Sequence, residues 1–296
     1  MSAASFSRGW PKYGALAVLL APSLAGMAIF VMGPILGSLA LSFSSWDMFA
    51  DIEWIGIENY TKAVADPAVR TALGNTLLFI LGYLPPVVSI GLGLALMLNR
   101  TFPGRTLFRA IYFVPVVTSW VAVSLVWKWL LNPEFGLINY GLSLLGVDGP
   151  GWLYDPQWAM AGIVLTSIWK DVGFIMVIYL AGLQEIPNNL YEAAEIDGIH
   201  PLQVFWRITL PLLAPTTFFV TTISLINSFQ VFDQVWIMTE GGPAGATSVI
   251  MELIYKNAFR YYQMGYASAI SWLLFAIIFA VTIAQHLLQR RWGATE

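Results

Sequence analysis

Six apolar stretches, each long enough to cross a lipid bilayer, constrain this chain more than any other feature: residues about 14–41, 76–98, 110–131, 159–182, 214–238 and 267–288. A spanning helix needs about 20 mostly apolar residues, because hydrocarbon offers no water to satisfy a backbone that is not internally hydrogen-bonded. A soluble domain could not hide them: the sequence is 58% hydrophobic and 10% charged, with a mean hydropathy of +0.71, against the roughly 25% charged residues of soluble domains. The fold class expected is an all-α polytopic membrane protein with six transmembrane helices. Thirteen Trp and twelve Tyr suit two wide membrane interfaces, where amphipathic rings settle. The first stretch carries Pro22 and Pro34 and the second Pro85-Pro86, so both are expected to kink or tilt.

Lys and Arg set the expected orientation. Arg8 and Lys12 precede the first stretch, Arg100, Arg105 and Arg109 fill the second loop, Arg207 the fourth, and Arg290 and Arg291 the C-terminal tail. The opposite side has Lys62, Arg70, Lys256 and Arg260 spread among acids such as Asp47, Asp51, Glu53, Glu58 and Asp66, and loop 132–158 has no Lys or Arg. Both termini are therefore expected in the cytoplasm. The first apolar run outlasts the 7–15 residues of a signal core and is read as a span. The two halves show no repeat and no linker divides them, so residues 1–296 are read as one transmembrane domain. The absence of Cys excludes disulfides and thiol chemistry, and His200 and His286 are too far apart in sequence to suggest a metal site. A net charge of −3 with no basic stripe gives no sign of a nucleic-acid partner.

The fourth loop, about 183–213, is longer than a connection requires. Asn188 or Asn189 can cap a short helix through Glu192, Ala193 and Ala194. Gly198 can end it in the left-handed region. Pro201 can begin a second helix, through Phe205 and Trp206, which Pro211 closes. This pattern predicts two short helices with a tight turn, either an amphipathic hairpin joining two spans or a docking knob.

Glu192-Ala193-Ala194, three residues, Gly198, nine residues and Ile208-Thr209-Leu210-Pro211 match the EAA-x3-G-x9-I-x-L-P signature at every defined position. The chain thereby resembles the binding-protein-dependent ABC importer permeases. EAAEIDG followed by ITLPLLAP is similar to the carbohydrate branch, of maltose or glycerol-phosphate type. Thr239-Glu240-Gly241-Gly242-Pro243 with Ala246-Thr247 is similar to that branch's T-x-G-G-P…A-T segment; Asn75-Thr76-Leu77 and Trp127-Lys128-Trp129 are weaker echoes. The resemblance implies that loop 183–213 docks on a cytoplasmic ABC ATPase dimer. Glu192 would then be the polar anchor, Ala193 and Ala194 the close-packing surface, and Gly198 the turn. Leu210 and Pro211 would fix the meeting with the membrane, and Asp197 and Ile208 complete the set. The sequence departs from the family at His200 and Pro201, where small or polar residues are commoner. The resemblance further implies a second permease subunit in a heterodimer, an extracytoplasmic solute-binding protein, and a multi-pass place in a bacterial or archaeal cytoplasmic membrane.

No G-x-x-x-x-G-K-[ST] loop occurs in the chain, which places ATP and Mg2+ on partner subunits and leaves this one without a cofactor of its own. Nor is there the run of buried carboxylates a stand-alone proton-coupled carrier needs. An integral-membrane enzyme would need a convergent catalytic set, and Asp197 beside His200 is a poor one; no catalytic residue is assigned. A structural scaffold would leave the EAA pattern unexplained. Polar groups at membrane depth are functional candidates: Ser167, Lys170 and Asp171 in the fourth stretch, and Asn227, Ser228 and Gln230, then Asp233 and Gln234, in the fifth. Adjacent helical positions lie about 100° apart, so one of Lys170 and Asp171 is expected to line the path while the other pairs with a neighbouring helix. Asn227, Gln230, Trp120, Trp169 and Phe174 are the candidate sugar contacts. The alternative for the amides and hydroxyls is bonding between helices, about 0.6 kcal/mol each. Lys128 is read as a snorkelling residue, and Trp120, Trp127, Trp129, Trp152 and Trp158 mostly as interface belt.

Overall fold

The computed structural model describes residues 12–292, with side chains over 16–287; Arg8, used above for orientation, lies outside the described residues. Two compact units emerge, one from the chain up to Ala65 together with Asn257–Leu273, the other from Asp66–Lys256 together with the chain from Leu274.

In the first unit, α1 (Lys12–Met27) runs through Pro22 and joins α2 (Gly33–Ser42) by a π turn, Ala28–Met32. Pro34 at the start of α2 has no N–H for the carbonyl four residues back, and the ladder widens so that Gly33 N–H donates to Ala28 O. Leu19 and Phe30 are 77% and 79% exposed, the outward apolar surface expected of a span. Beyond α2 come the antiparallel β1 (Ser44–Ser45) and β2 (Glu53–Trp54), then α3 (Glu58–Ala65). Buried Asn59 ties them together, donating to the carbonyls of Ser42 at 3.1 Å and Ser44 at 2.9 Å.

In the second unit, α4 (Pro67–Asn99) is capped by Asp66, which accepts from Ala68 N–H at 2.8 Å, and it continues unbroken through Pro85 and Pro86. The stretch read as one helix over 110–131 is instead two, α5 (Arg105–Val117) and α6 (Trp120–Leu130), bent by 101°. The cause is local: Thr118 turns its hydroxyl onto Pro115 O at 2.5 Å, and Ser119 accepts from Val121 N–H at 3.2 Å as the cap of a new helix. Then follow α7 (Leu137–Leu144), α8 (Ala159–Glu185), α9 (Asn188–Ile196) and α10 (Pro201–Val204). A π turn, Phe205–Thr209, leads to α11 (Leu210–Leu212), and α12 (Ala214–Phe229) departs at 65°. The fifth stretch also differs from its reading over 214–238: α12 stops at Phe229, residues 230–232 leave helical geometry, and a separate α13 (Asp233–Met238) begins. Next are α14 (Ile250–Tyr255) and α15 (Met264–Trp292), which contributes to both units.

Among the described residues, four helices are long and apolar enough to cross a membrane, or up to six if each bent pair is one span. The core of the second unit gathers around α8, where Tyr179, Ile163 and Met176 are fully buried with Phe79 and Val87 of α4 and Val220 of α12. Small residues admit the neighbours: a Cβ on Gly173 would collide with the backbone of Tyr112 in α5, and one on Gly182 with Thr216 of α12. Membrane helices use such positions for close packing, since lipid supplies no hydrophobic drive between helices.

Candidate functional site

The two helix breaks meet across α8 and leave a cavity of about 410 Å3. It is lined by Phe79 and Tyr83 of α4, Val116 and Trp120 at the first break, Lys170, Asp171, Phe174 and Ile175 of α8, and Ser224, Asn227, Ser228 and residues 230–234 around the second break. Nine of the residues singled out by sequence meet here: Trp120, Lys170, Asp171, Phe174, Asn227, Ser228, Gln230, Asp233 and Gln234. Ser167 and Trp169 do not. Ser167 is buried and accepts from Gln234 Nε2 at 3.2 Å, while Trp169 is 44% exposed and packs edge-on against Trp127. Lys170 and Asp171 both line the cavity and both hold a partner, rather than dividing those roles. Lys170 Nζ donates to Val116 O at 3.2 Å and lies 4.7 Å from the Trp120 ring centre. The Tyr83 hydroxyl donates to Asp171 Oδ2 at 2.9 Å. The breaks let the cavity wrap around α8, so neighbours 100° apart reach it from either side.

Loop 183–213 forms the expected pair of helices with three local corrections. No Asn side chain caps α9: Pro187 occupies the cap position with Asn188 as the first helical residue. Gly198, at φ +68°, makes the left-handed turn, and His200 Nδ1 accepts from Leu202 N–H at 3.3 Å, capping α10 just before Pro201. Pro211 does not close the second helix, because the π turn before it absorbs the missing N–H and the chain stays helical to Leu212. The third correction concerns Ala194, only 3% exposed and packed inside its own chain, so it offers no outer surface. Glu192, Ala193, Glu195 and Asp197 are exposed, and Ile208 and Leu210 half-buried. Ile196, beside them, is an apolar side chain 86% exposed.

Segment 239–248 folds into a tight knot. Thr239 and Thr247 share a 2.7 Å hydroxyl contact, and Thr247 Oγ1 donates to Gly242 O at 2.5 Å. Gly241, at φ +82°, packs on the fully buried Glu252 carboxylate, which accepts from Ser248 Oγ at 2.8 Å and pairs with Lys256. Asn75 of α4 donates to Gly245 O at 2.8 Å and Ser248 O at 2.9 Å, and Thr76 accepts from Ile250 N–H at 3.1 Å.

Residues 88–294 match the family model of the binding-protein-dependent transport system inner membrane component. The chain belongs to this family. The permease is 36% identical to the sulfoquinovosyl glycerol transport system permease protein of Agrobacterium fabrum, over 90% of this chain and 87% of that one. It is 35% identical to the trehalose/maltose transport system permease protein of Thermococcus litoralis, over 92% of each. Among solved structures it is similar to a bacterial ABC transporter involved in the import of the acidic polysaccharide alginate, with TM-score 0.84, 26% identity, and 94% of this chain and 96% of that one covered. A bacterial alginate ABC transporter in complex with alginate pentasaccharide-bound periplasmic protein gives TM-score 0.83 at 25% identity, covering 94% of each chain.

Sequence reading missed several features of the permease that the fold makes plain. Phe79 and Tyr83, stacked at 5.3 Å, form one cavity wall; an aromatic pair at i, i+4 was the available signal. Lys128, read as snorkelling, donates instead to Ile237 O at 3.2 Å near the end of α13. Trp152, read as belt, donates to Asn139 Oδ1 at 2.7 Å. Asn75, a weak echo in sequence, is the tether of segment 239–248. Asn75→Ala leaves two loop carbonyls without this donor, so the permease in detergent is expected to lose about 1–3 kcal/mol. A thermal unfolding midpoint equal to wild type would contradict that tether.

Proposed function

We propose that this chain is one transmembrane domain with six spans, N- and C-termini in the cytoplasm, forming half of the path of an ATP-driven, binding-protein-dependent carbohydrate importer. The bent pair α5 and α6 counts as one span in this reading and α12 with α13 as another, and the distribution of Lys and Arg between the loops supports the orientation. The observation that carries the substrate class is the cavity, where flat aromatic faces, three amides and two carboxylates converge on one space. Sugar rings present C–H faces to aromatics and hydroxyls to such polar groups. Two relatives named for sugar-containing or sugar substrates point the same way.

The motor is a cytoplasmic ATPase dimer that holds ATP and Mg2+, gripping the permease at α9 and the following turn. Glu192, Ala193, Asp197 and Gly198 form the handle, with Ile208, Leu210 and Pro211 transmitting its motion into α12. A second permease subunit completes the path, and an extracytoplasmic solute-binding protein delivers substrate; the periplasmic protein bound to the alginate transporter supports the latter. This subunit catalyses nothing and binds no cofactor.

The test is reconstitution with ATPase, partner permease and binding protein in proteoliposomes, measuring ATPase rate and uptake across monosaccharides, disaccharides and glycerol phosphodiesters. At least one sugar is expected to stimulate both. Asn227→Ala with Gln230→Ala is expected to lower uptake about tenfold, the effect of losing one or two polar contacts. Unchanged uptake in that double variant removes those two residues from the path, and the absence of any sugar response removes the substrate class.

A further inference from the structure

The cavity holds two ionisable neighbours, and its geometry assigns them different tasks. Lys170 is 5% exposed, and its ammonium is already engaged by Val116 O and the face of Trp120. In a continuous helix that carbonyl would accept from the N–H of Trp120, which instead opens α6. Lys170 thus satisfies a backbone group that the break would leave bare. Asp171 is held by one oxygen only. Among the described residues its carboxylate accepts from Tyr83, which is 5% exposed and stacked on Phe79 at an interplanar angle of 11°, so the hydroxyl is fixed. The second oxygen is left to the cavity. A carboxylate is a pure acceptor, and its hydrogen bonds to hydroxyls are about twice as strong as neutral ones. Asp233 adds a second negative charge to the lining.

We infer that Asp171, oriented by Tyr83, accepts hydroxyls of the passing molecule, and that the cavity thereby selects polyhydroxylated substrates without negative charge, with Lys170 as the clamp of the helix break. This rests on the cavity being part of the substrate path. An anionic sugar would place like charge beside Asp171 and Asp233 in a site poor in water, where repulsion is strong, while the one ammonium is committed elsewhere.

The reconstituted complex supplies the test, using a neutral disaccharide that stimulates the wild type and its uronic-acid analogue. Asp171→Asn keeps an oxygen for Tyr83 and loses the charge. It is expected to lower neutral uptake at least about tenfold, the factor for weakening a bond to a charged group, and to raise the acidic-to-neutral uptake ratio. Tyr83→Phe shifts that ratio in the same direction by less, and decides the matter if Asp171→Asn fails to assemble. Lys170→Met lowers both uptakes alike and leaves the ratio at its wild-type value. A ratio unmoved by Asp171→Asn and Tyr83→Phe, or moved equally by Lys170→Met, overturns the inference while leaving the importer reading intact. A wild type that responds to no sugar of the panel overturns both.

Discussion

Glu192→Lys is expected to reduce ATP-driven uptake at least about thirtyfold, the loss that follows when an interface hot spot of about 2 kcal/mol is reversed. The reason lies on the surface of α9. Glu192, Ala193, Glu195 and Ile196 are exposed there, while Ala194 turns inward. The helix is braced from within by the 3.1 Å contact between the hydroxyls of Tyr191 and Thr209, so a load on its outer face is passed to the segment that leads into α12. In the proposed docking a charge reversal on that face opposes the ATPase without disturbing the interior, and membrane insertion and detergent stability are expected to stay at wild-type values. The checks are retention of the ATPase during purification and substrate-stimulated hydrolysis, both expected to fall. Normal uptake by Glu192→Lys would sink the docking role of this loop.

Gly173→Ala is expected to carry one of the largest stability costs among glycine-to-alanine changes in the permease. The added carbon would fall on the backbone of Tyr112, and a backbone cannot rotate aside as a side chain can. Relief requires α5 to back away from α8, an overpacking cost of about 1–3 kcal/mol or more. The same movement would draw Val116 from Lys170, so the cavity loosens together with the packing. The control is Gly93→Ala in α4, where nothing lies within 4 Å of the new carbon; helix propensity there favours Ala by about 0.8–1.0 kcal/mol. Unfolding midpoints in detergent are expected to move in opposite directions. A Gly173→Ala midpoint at or above wild type would show that α5 and α8 do not pack as described.

Chain length and hydropathy were enough to mark the apolar stretches, because spanning a bilayer is a local requirement that each segment meets alone. The EAA signature and the left-handed turn at Gly198 were equally legible, since a motif of fixed spacing and a residue without Cβ speak for themselves. Nine cavity residues could be named in advance, most of them because polar groups stand out against an apolar background. What required the tertiary structure was where helices stop and which groups meet. Thr118 and Ser119 end α5 only because their hydroxyls compete with the backbone ladder, and residues 230–232 break the fifth stretch where no proline or glycine marks it. Tyr83 reaches Asp171 across 88 positions of sequence, and Asn75 reaches Ser248 across 173. Such pairs are decided by the packing of α4 on α8 and of the loops on α4. That packing depends on the shapes of all the surfaces at once, so no local pattern in the chain records it.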